Sequence, residues 1–350
     1  MKGGFDMARS SGRYNRTFSE EKWSRVNPEN KRILEDFLLE YRSQKKSPKT
    51  IEAYRQDLRI ILIHVMEKLD NKSLLDMTKK DHRNVSLWLS EGMNGSEGDS
   101  QGRGNSRVNR MRSSLNSLLS FCEEDPSYEY EQNMSKKVKG LPKEKVKTDE
   151  DAFFFTFAEF IEVRNRLVEQ EDYQTAALWS LAFDSGARRT EVAQVEKHGF
   201  FEEGNHWTNI VRGKRGKTFP LIYLDDTREI VLKWLEQRGE DDIDLLWTVG
   251  DGENRHAASS ELLYSRIMKC AKILSEIRGE EANIFFHSIR HARADVMSRG
   301  EDSRVKDKDG SNRVYTLDEI RILLHHDDIS TTQGFLKPRD SEILGEMFGF

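Results

Sequence analysis

Between residues 28 and 134, apolar side chains recur every three or four positions, the spacing of a helix with one buried face. From Pro28 onward this stripe consists of Ile33, Leu34, Phe37, Leu38 and Tyr41. A second helix is expected after Ser47 and Pro48, because serine is a good N-cap and proline fits the first helical turn. Further helices are predicted at 79–89 and from 106 onward, with Ser106 as the cap. These stripes must pack together, so the sequence predicts a helical domain.

A basic segment containing Gly and Pro separates this helical region from the rest of the chain. We therefore divide the sequence into a flexible basic tail at 1–27, a helical domain at 28–134, a linker at 135–150 and a second domain at 151–350. The basic side chains that are candidates for binding DNA phosphates are Arg107, Arg110, Lys136, Lys137 and Lys139. A solvated basic face explains the two arginines equally well, and linkers are often lysine-rich for solubility alone. The tail is either a solvated terminus or an auxiliary DNA-contacting arm.

The second domain mixes helices with one hairpin. Capping boxes are expected at Thr156 with Glu159 and at Thr316 with Glu319, each before an apolar helix. Segments 206–211 and 218–224 are rich in β-branched and aromatic residues and enclose a basic turn, so they predict an antiparallel hairpin. The Gly and Lys of that turn do not form a nucleotide-binding loop, because a strand and not a helix follows them. Segment 299–313 is almost wholly polar and is expected to be a mobile loop.

Composition excludes several classes of protein. The net charge of −5 argues against a uniformly basic nucleic-acid binder, so any such binding depends on local patches. Cys122 and Cys270 are the only cysteines and form no Cys-x-x-Cys pair, which excludes a disulfide framework and a thiolate zinc site and fits a reducing cytoplasm. No apolar run approaches the roughly 20 residues that cross a bilayer, so no membrane association is expected.

Basic and imidazole groups near the end of the chain form a candidate site. His287 and Arg290 lie three positions apart, so on a helix they share a face and can meet one ligand. A proton carrier beside a fixed cation suits a phosphate. His326 adds a second imidazole, and nine residues later Phe335 stands where a nucleophile would complete the set. The sequence thus predicts a phosphate site that lacks its nucleophile.

Further candidates lie upstream. Arg188 follows a glycine at a junction between helices, where Glu191 can hold it and direct it outward, although a surface ion pair is the commoner explanation. Lys214 lies in the basic turn of the predicted hairpin.

Taken together, these residues resemble the tyrosine recombinases, the phage-integrase and Xer-like family. Segment 185–191 (Ser-Gly-Ala-Arg-Arg-Thr-Glu) resembles the first box of the family, Thr-Gly-Leu-Arg-x-Ser-Glu, and Gly213-Lys214 resembles its lysine turn. Segment 287–291 matches His-x-Leu-Arg-His, and 324–335 is similar to Leu-Gly-His-x-x-x-x-Thr-Thr-x-x-Tyr. The resemblance covers roughly residues 28 to 338. It implies a mainly α fold, with a helical core-binding domain and an α+β catalytic domain that carries a small antiparallel hairpin.

The resemblance also implies a mechanism, DNA strand transfer through a 3′-phosphotyrosine without metal or cofactor. Arg188 and Arg290 would bind the scissile phosphate, and His326 would donate a further hydrogen bond. Lys214 would protonate the departing 5′ oxygen, His287 would assist proton transfer at the nucleophile, and Glu191 would orient its neighbours. The implied partners are a double-stranded DNA site, three further copies in a homotetramer that exchanges C-terminal tails, and possible accessory factors. A cytoplasmic, DNA-associated location follows.

The sequence departs from the family pattern at three places. Phe335 replaces the tyrosine, and we interpret it as an inactivating substitution that holds a DNA complex before cleavage. Natural loss of cleavage, in a DNA-binding protein derived from a recombinase, is the alternative; rescue by Tyr315 would need the last helix to rearrange. His325 replaces the usual glycine before His326 and is expected to crowd that turn. Segment 299–313 is longer than the family norm.

Overall fold

A computed structural model describes residues 17–91, 103–142, 153–334 and 336 of the chain. They fall into two compact units with bounds Met1–Val146 and Lys147–Phe350, here called unit 1 and unit 2. The division lies inside the segment predicted as a linker, of which 143–150 lie outside the described residues. Most described residues are helical and the strands form small antiparallel sheets, so the predicted fold class is confirmed.

Unit 1 is built from helices whose apolar stripes share one core. Its α-helices are α1 Glu20–Arg25, α2 Pro28–Ser43, α3 Pro48–Lys68, α4 Lys79–Glu91 and α5 Asn105–Glu124. Short 3₁₀ helices follow at Leu74–Asp76, Pro126–Tyr128 and Met134–Lys137. The predicted cap of α3 is confirmed, since the Ser47 hydroxyl accepts from the Thr50 N–H at 3.1 Å and Pro48 is the first helical residue. The predicted stripe of α2 is buried at Ile33, Leu34 and Phe37.

Three expectations for unit 1 are wrong. The predicted tail contains helix α1, because Ser19 caps it and Val26, only 1% exposed, packs into the core. Helix α5 begins one residue before Ser106, with Gly104 at the cap position. The 3₁₀ helix at 134–137 belongs to unit 1 and not to a linker, because the Asn133 amide donates to the Asn116 carbonyl and the Ser120 hydroxyl of α5, each at 3.1 Å.

Unit 2 surrounds one almost wholly buried helix. Its α-helices are α6 Phe157–Glu169, α7 Tyr173–Ser185, α8 Arg189–Val192, α9 Asp225–Arg238, α10 Ser260–Arg278, α11 Phe286–Arg299, α12 Leu317–Leu323 and α13 Ile329–Gln333. The 3₁₀ helices are His198–Phe200, Lys214–Gly216 and Gly252–Asn254. Helix α7 is buried on all sides from 174 to 185 and packs against α6, α9, α10 and α11. Both predicted capping boxes, at Thr156 and at Thr316, are confirmed.

The strands of unit 2 form two antiparallel pairs. Strands β1 Trp207–Arg212 and β2 Thr218–Ile222 form the predicted hairpin, and β3 Thr248–Val249 pairs with β4 His256–Ala257. The first hairpin is closed by the Gly213 N–H, which donates to the Lys217 carbonyl at 2.7 Å. Its basic turn therefore stands at the end of a hydrogen-bonded ribbon.

The segment after α11, predicted to be a mobile loop, is instead held in place by Arg304. The Arg304 guanidinium donates to Asp184 at 2.8 Å, to Asp302 at 2.9 Å and to Asp226 at 3.1 Å. Asp184 and Asp302 are both 1% exposed, and the guanidinium lies over the rings of Phe157 and Phe160. Arg293 pairs with Asp302 and Arg164 pairs with Asp226. These six charged residues, here called the Arg304 network, tie the segment to α6, α7, α9 and α11.

Candidate functional site

One cavity in unit 2 collects several of the predicted site residues. It has a volume of about 420 Å³ and is here called the Arg188 cavity. Its lining comprises Arg188, Lys214, Arg215, Lys217, Phe219, His325, His326, Asp327, Asp328 and Thr331. Arg188, Lys214 and His326, which are far apart in sequence, thus share one cavity. Cationic side chains outnumber carboxylates on its wall.

Arg188 is placed by the end of α7 and by Glu191. The helix ends at Ser185 and is capped by Gly186 with φ +55°, where a Cβ would be strained and would lie 2.7 Å from the Leu324 side chain, so glycine is favoured there. Glu191, 1% exposed, accepts from the Arg188 main-chain N–H at 2.8 Å and from its Nη1 at 3.0 Å. This carboxylate fixes the arginine at both ends, and the Arg188 side chain remains about one third exposed (35%).

Arg290 lies behind the cavity and not on its wall. The residue is 1% exposed, and its guanidinium donates to the Gly186 carbonyl at 2.5 Å and to the Leu324 carbonyl. Burial, together with the charge of Arg188, lowers the pKa of Arg290 to about 9. Arg290, on α11, is therefore bonded to the residue that follows α7 and to the residue that follows α12. Arg188 comes two residues after Gly186, and His326 comes two residues after Leu324. Its hydrogen bonds to carbonyls differ from the open phosphate clamp expected from the sequence.

His287 lies one turn before Arg290 on α11 and keeps an exposed face. Its ring meets that of His291 edge to face, with centroids 4.6 Å apart. Partial burial lowers the pKa of His287 to about 4, and the charges of His291, Arg290 and Arg188 act in the same direction. The imidazole is therefore neutral near pH 7.

His326 is 5% exposed and is oriented by a residue that the sequence interpretation had not selected. Its Nδ1 lies 3.0 Å from the Thr332 hydroxyl, which is itself buried in α13. The pKa of His326 is lowered to about 4, mainly by burial and further by the charges of Arg290 and Arg188. Since these two guanidiniums act on both His326 and His287, the four groups lie within electrostatic reach of one another.

Lys214 is exposed in the hairpin turn, directly after Gly213. The turn is linked to the segment that carries His326, because Asp327 pairs with Lys217 and, at 3.2 Å, with Arg215. These contacts lower the pKa of Asp327, with the Lys217 hydrogen bond as the main cause. Thr332 could have been selected from the sequence, because it is the second threonine of the 324–335 motif, whereas nothing in the spacing of Asp327 marks it.

Phe335 lies outside the described residues, so its distance to the cavity is not part of the geometry above. Tyr315, considered above as a replacement for the missing tyrosine, packs against a small apolar cluster that includes Met297 and Ile320. Its ring also lies 5.0 Å from the Arg313 guanidinium. Tyr315 is absent from the cavity wall, so using it would require a rearrangement.

The predicted DNA contacts of unit 1 are largely paired with acids. Arg107 and Arg110 both bind Asp57, each at 2.8 Å, and Asp57 is 1% exposed. Burial raises the pKa of Asp57, and the charge of Arg110 opposes that shift. The two arginines, left open between a phosphate-binding and a solvated role, are thus held by a buried carboxylate while their side chains stay 35% and 51% exposed. Lys136 pairs with Glu123, whereas Lys137 and Lys139 are exposed.

Within 17–91, 103–142 and 153–334, no group of three or more His, Cys, Asp or Glu is placed to hold a metal ion. Among the helices of these same ranges, none combines the length and apolar character needed to cross a bilayer.

The chain is similar over most of its length to a known protein. No family model matches it. It is 27% identical over 350 residues to the SPbeta prophage-derived recombinase-like protein YomM of Bacillus subtilis (strain 168), over 93% of this chain and 92% of that protein.

Solved structures share its fold. A lambda integrase tetramer bound to a Holliday junction gives a TM-score of 0.62 at 15% identity, covering 87% of this chain and 76% of that one. XerH recombinase bound to a palindromic difH substrate gives 0.61 at 16% identity, covering 86% and 79%. The chain thus has the fold of these recombinases and integrases.

Proposed function

We propose that this chain is a member of the tyrosine recombinase family and that the Arg188 cavity receives one phosphodiester of a double-stranded DNA site. The observation that carries this proposal is that Arg188, Lys214 and His326 line one cavity. The positive charge of Arg290 also helps to lower the pKa of His326. An excess of cations beside neutral imidazoles suits a polyanion that must gain further negative charge during reaction. The likeness to YomM and to the solved recombinases supports the same assignment.

Each side chain has a role that follows from its position. Arg188, held by Glu191 and partly exposed, donates hydrogen bonds to a non-bridging oxygen. Arg290 adds positive charge from behind and fixes the backbone at Gly186 and Leu324. With Thr332 on Nδ1, His326 donates to the phosphate through Nε2. His287, neutral near pH 7, accepts a proton from the nucleophile.

Cleavage requires a hydroxyl at position 335. With tyrosine there, the phenolic oxygen attacks phosphorus and the bond to the 5′ oxygen breaks, while Lys214 gives its proton to that oxygen. The products are a 3′-phosphotyrosine and a 5′-hydroxyl, and attack by another 5′-hydroxyl rejoins the strand and releases the tyrosine. With Phe335 the chain binds this phosphate without forming the covalent bond.

A second candidate is a DNA-binding protein that retains the phosphate site and has naturally lost cleavage. It is favoured by Phe335 and by His325, which occupies a left-handed backbone position (φ +50°) where the family has glycine. The two candidates differ only in whether a hydroxyl at position 335 restores strand transfer.

Assembly follows from the same assignment. Unit 1 is proposed as a second DNA-binding lobe, with Lys137 and Lys139 as exposed phosphate contacts. By analogy with the lambda integrase tetramer on a Holliday junction, four copies would synapse two sites, with possible accessory factors. The tail proposed for exchange between copies, 340–350, lies outside the described residues.

The test uses Phe335→Tyr on a nicked duplex that traps the covalent adduct. We expect a protein–DNA adduct from the tyrosine form and none from the original chain or from Phe335→Tyr combined with Arg188→Ala. DNA binding by both 335 forms without an adduct would favour the binding-only candidate. A chain that binds no duplex DNA at moderate salt would contradict both.

A further inference from the structure

The turn before His326 has an unusual backbone at His325. Its φ of +50° lies in the left-handed region, which disfavours any residue with a Cβ, and a glycine there would relieve the strain. The histidine ring stacks on Phe219 of β2, with centroids 3.5 Å apart and planes inclined by 22°. The side chain therefore makes a specific contact that glycine cannot make.

Phe219 transmits this contact to the lysine turn. A Cβ on Gly213 would lie 2.8 Å from Cε1 and 2.9 Å from Cζ of Phe219, so the ring edge lies directly against the backbone of Gly213. Gly213 immediately precedes Lys214, and its N–H closes the turn by donating to Lys217. The face of one buried ring thus meets His325, and its edge meets the start of the turn.

Asp327 links the same two segments a second time. It pairs with Arg215 and Lys217, which follow Lys214 in the turn and are exposed. Exposed pairs of this kind are weak and salt-sensitive, whereas Phe219 is 8% exposed and its stacking is sheltered from solvent. The buried contact therefore contributes more to holding the turn than the ion pairs do.

We propose that His325 is a positioning residue: through Phe219 it holds the Gly213–Lys217 turn against the His326 segment and keeps the Lys214 amine at the Arg188 cavity. The consequence for proton donation rests on the proposed function, whereas the mechanical coupling does not. A histidine at position 325, where the family has glycine, thereby makes the turn that carries Lys214 more rigid.

The coupling is tested on the chain as it stands by amide hydrogen exchange. In His325→Gly we expect the Gly213 N–H to exchange about fivefold faster, the loss expected from removing one ring–ring contact. His325→Phe keeps a stacking ring and should retain the protection, while His256→Gly in the other hairpin serves as the matched control. Overall stability is not expected to fall in His325→Gly, because glycine relieves the backbone. Unchanged exchange at Gly213 in His325→Gly would overturn the proposal.

The effect on Lys214 is tested in the Phe335→Tyr background with two leaving groups. An ordinary 5′ oxygen needs a proton, whereas a 5′-bridging sulfur leaves as a thiolate because thiols have a pKa near 8.5. We expect His325→Gly to slow cleavage of the oxygen substrate about fivefold and to leave the sulfur substrate unaffected. Lys214→Ala should show the same selectivity with a larger loss.

The two tests separate the possible failures. Equal slowing of both substrates would refute the route through Lys214. If Phe335→Tyr cleaves neither substrate, the strand-transfer proposal fails, and the exchange measurement alone decides whether His325 holds the turn.

Discussion

Unit 2 contains two clusters of charged residues that both involve the end of α7 and helix α11, and they differ in how their charge is balanced. In the Arg304 network, three arginines meet three aspartates, and Asp184 and Asp302 are almost wholly buried. In the Arg188 cavity, Arg188 has the carboxylate of Glu191, and Arg215 and Lys217 share Asp327, whereas Lys214 and two histidines line the same wall. The Arg304 network, here called the closed cluster, has equal numbers of arginines and aspartates and encloses buried carboxylates. The Arg188 cavity, here called the open cluster, has more cations than carboxylates on a wall that borders a cavity.

Two arginines on helix α11 show that neighbouring positions in the sequence can belong to different clusters. Arg290 and Arg293 are separated by less than one turn, yet Arg293 pairs with Asp302 while Arg290 donates to two carbonyls. A guanidinium on carbonyls keeps its net charge, so its field still reaches His326 and Arg188. Local charge balance, and not the presence of arginine, therefore separates a stabilising cluster from one that can receive an anion.

The largest expected effect is the loss of stability on breaking the closed cluster. Arg304→Ala removes the cation shared by Asp184, Asp226 and Asp302, leaving buried carboxylates with fewer partners. Removing one partner from a buried ionic network costs about 3 to 5 kcal/mol. Urea denaturation of the variant and the original chain measures this difference in the free energy of unfolding.

Arg313→Ala is the matched control, because Arg313 lies in the same segment but is 39% exposed and pairs with Glu319 at 2.7 Å. An exposed pair is worth about 1 kcal/mol or less. Folded Arg304→Ala should bind DNA as the original chain does. A variant of full stability that had lost DNA binding would instead make Arg304 part of the anion site.

The sequence predicted the open cluster far better than the closed one. Glycine, arginine, lysine and histidine boxes have characteristic spacings, so Arg188, Lys214 and His326 could be selected before any coordinates were known. Arg304 lay in a polar stretch without periodicity, and two of its three carboxylate partners, Asp184 and Asp226, come from distant parts of the chain. Only the tertiary fold brings such charges together. The pairing of Arg107 and Arg110 with Asp57 was missed for the same reason.

The second expected effect is a difference in the pH at which each cluster loses stabilisation. The pKa of His326 is lowered from 6.5 to about 4, so the native state binds fewer protons than the unfolded chain. Its stabilisation is present above pH 6.5 and is lost as the pH falls toward 4. The pKa of Asp302 is lowered to about 2, against the effect of burial, by Arg304 and Arg293. That stabilisation is lost only as the pH falls from 3.8 toward 2.

His326→Asn tests this difference because asparagine does not titrate. Between pH 7 and pH 5 the free energy of unfolding should fall by about 2 kcal/mol less in the variant than in the original chain. Urea midpoints at three pH values measure it. His256→Asn, an exposed histidine in the second hairpin, is the control and should leave the decrease unchanged. An identical decrease in His326→Asn would mean that the open cluster does not keep this imidazole neutral.

The smallest expected change in stability comes from Lys214→Ala, and it separates binding from folding most cleanly. Lys214 is exposed, so the free energy of unfolding should change by no more than about 0.5 kcal/mol. If its amine meets a phosphate in the open cluster, the slope of log affinity against log salt should decrease by about 0.9. Fluorescence anisotropy with duplex DNA at several salt concentrations measures that slope.

Lys272→Ala on α10 removes an exposed lysine away from the cavity and should leave the slope unchanged. Equal decreases in both variants would show that DNA responds to the overall charge of unit 2 and not to the cations gathered at the Arg188 cavity.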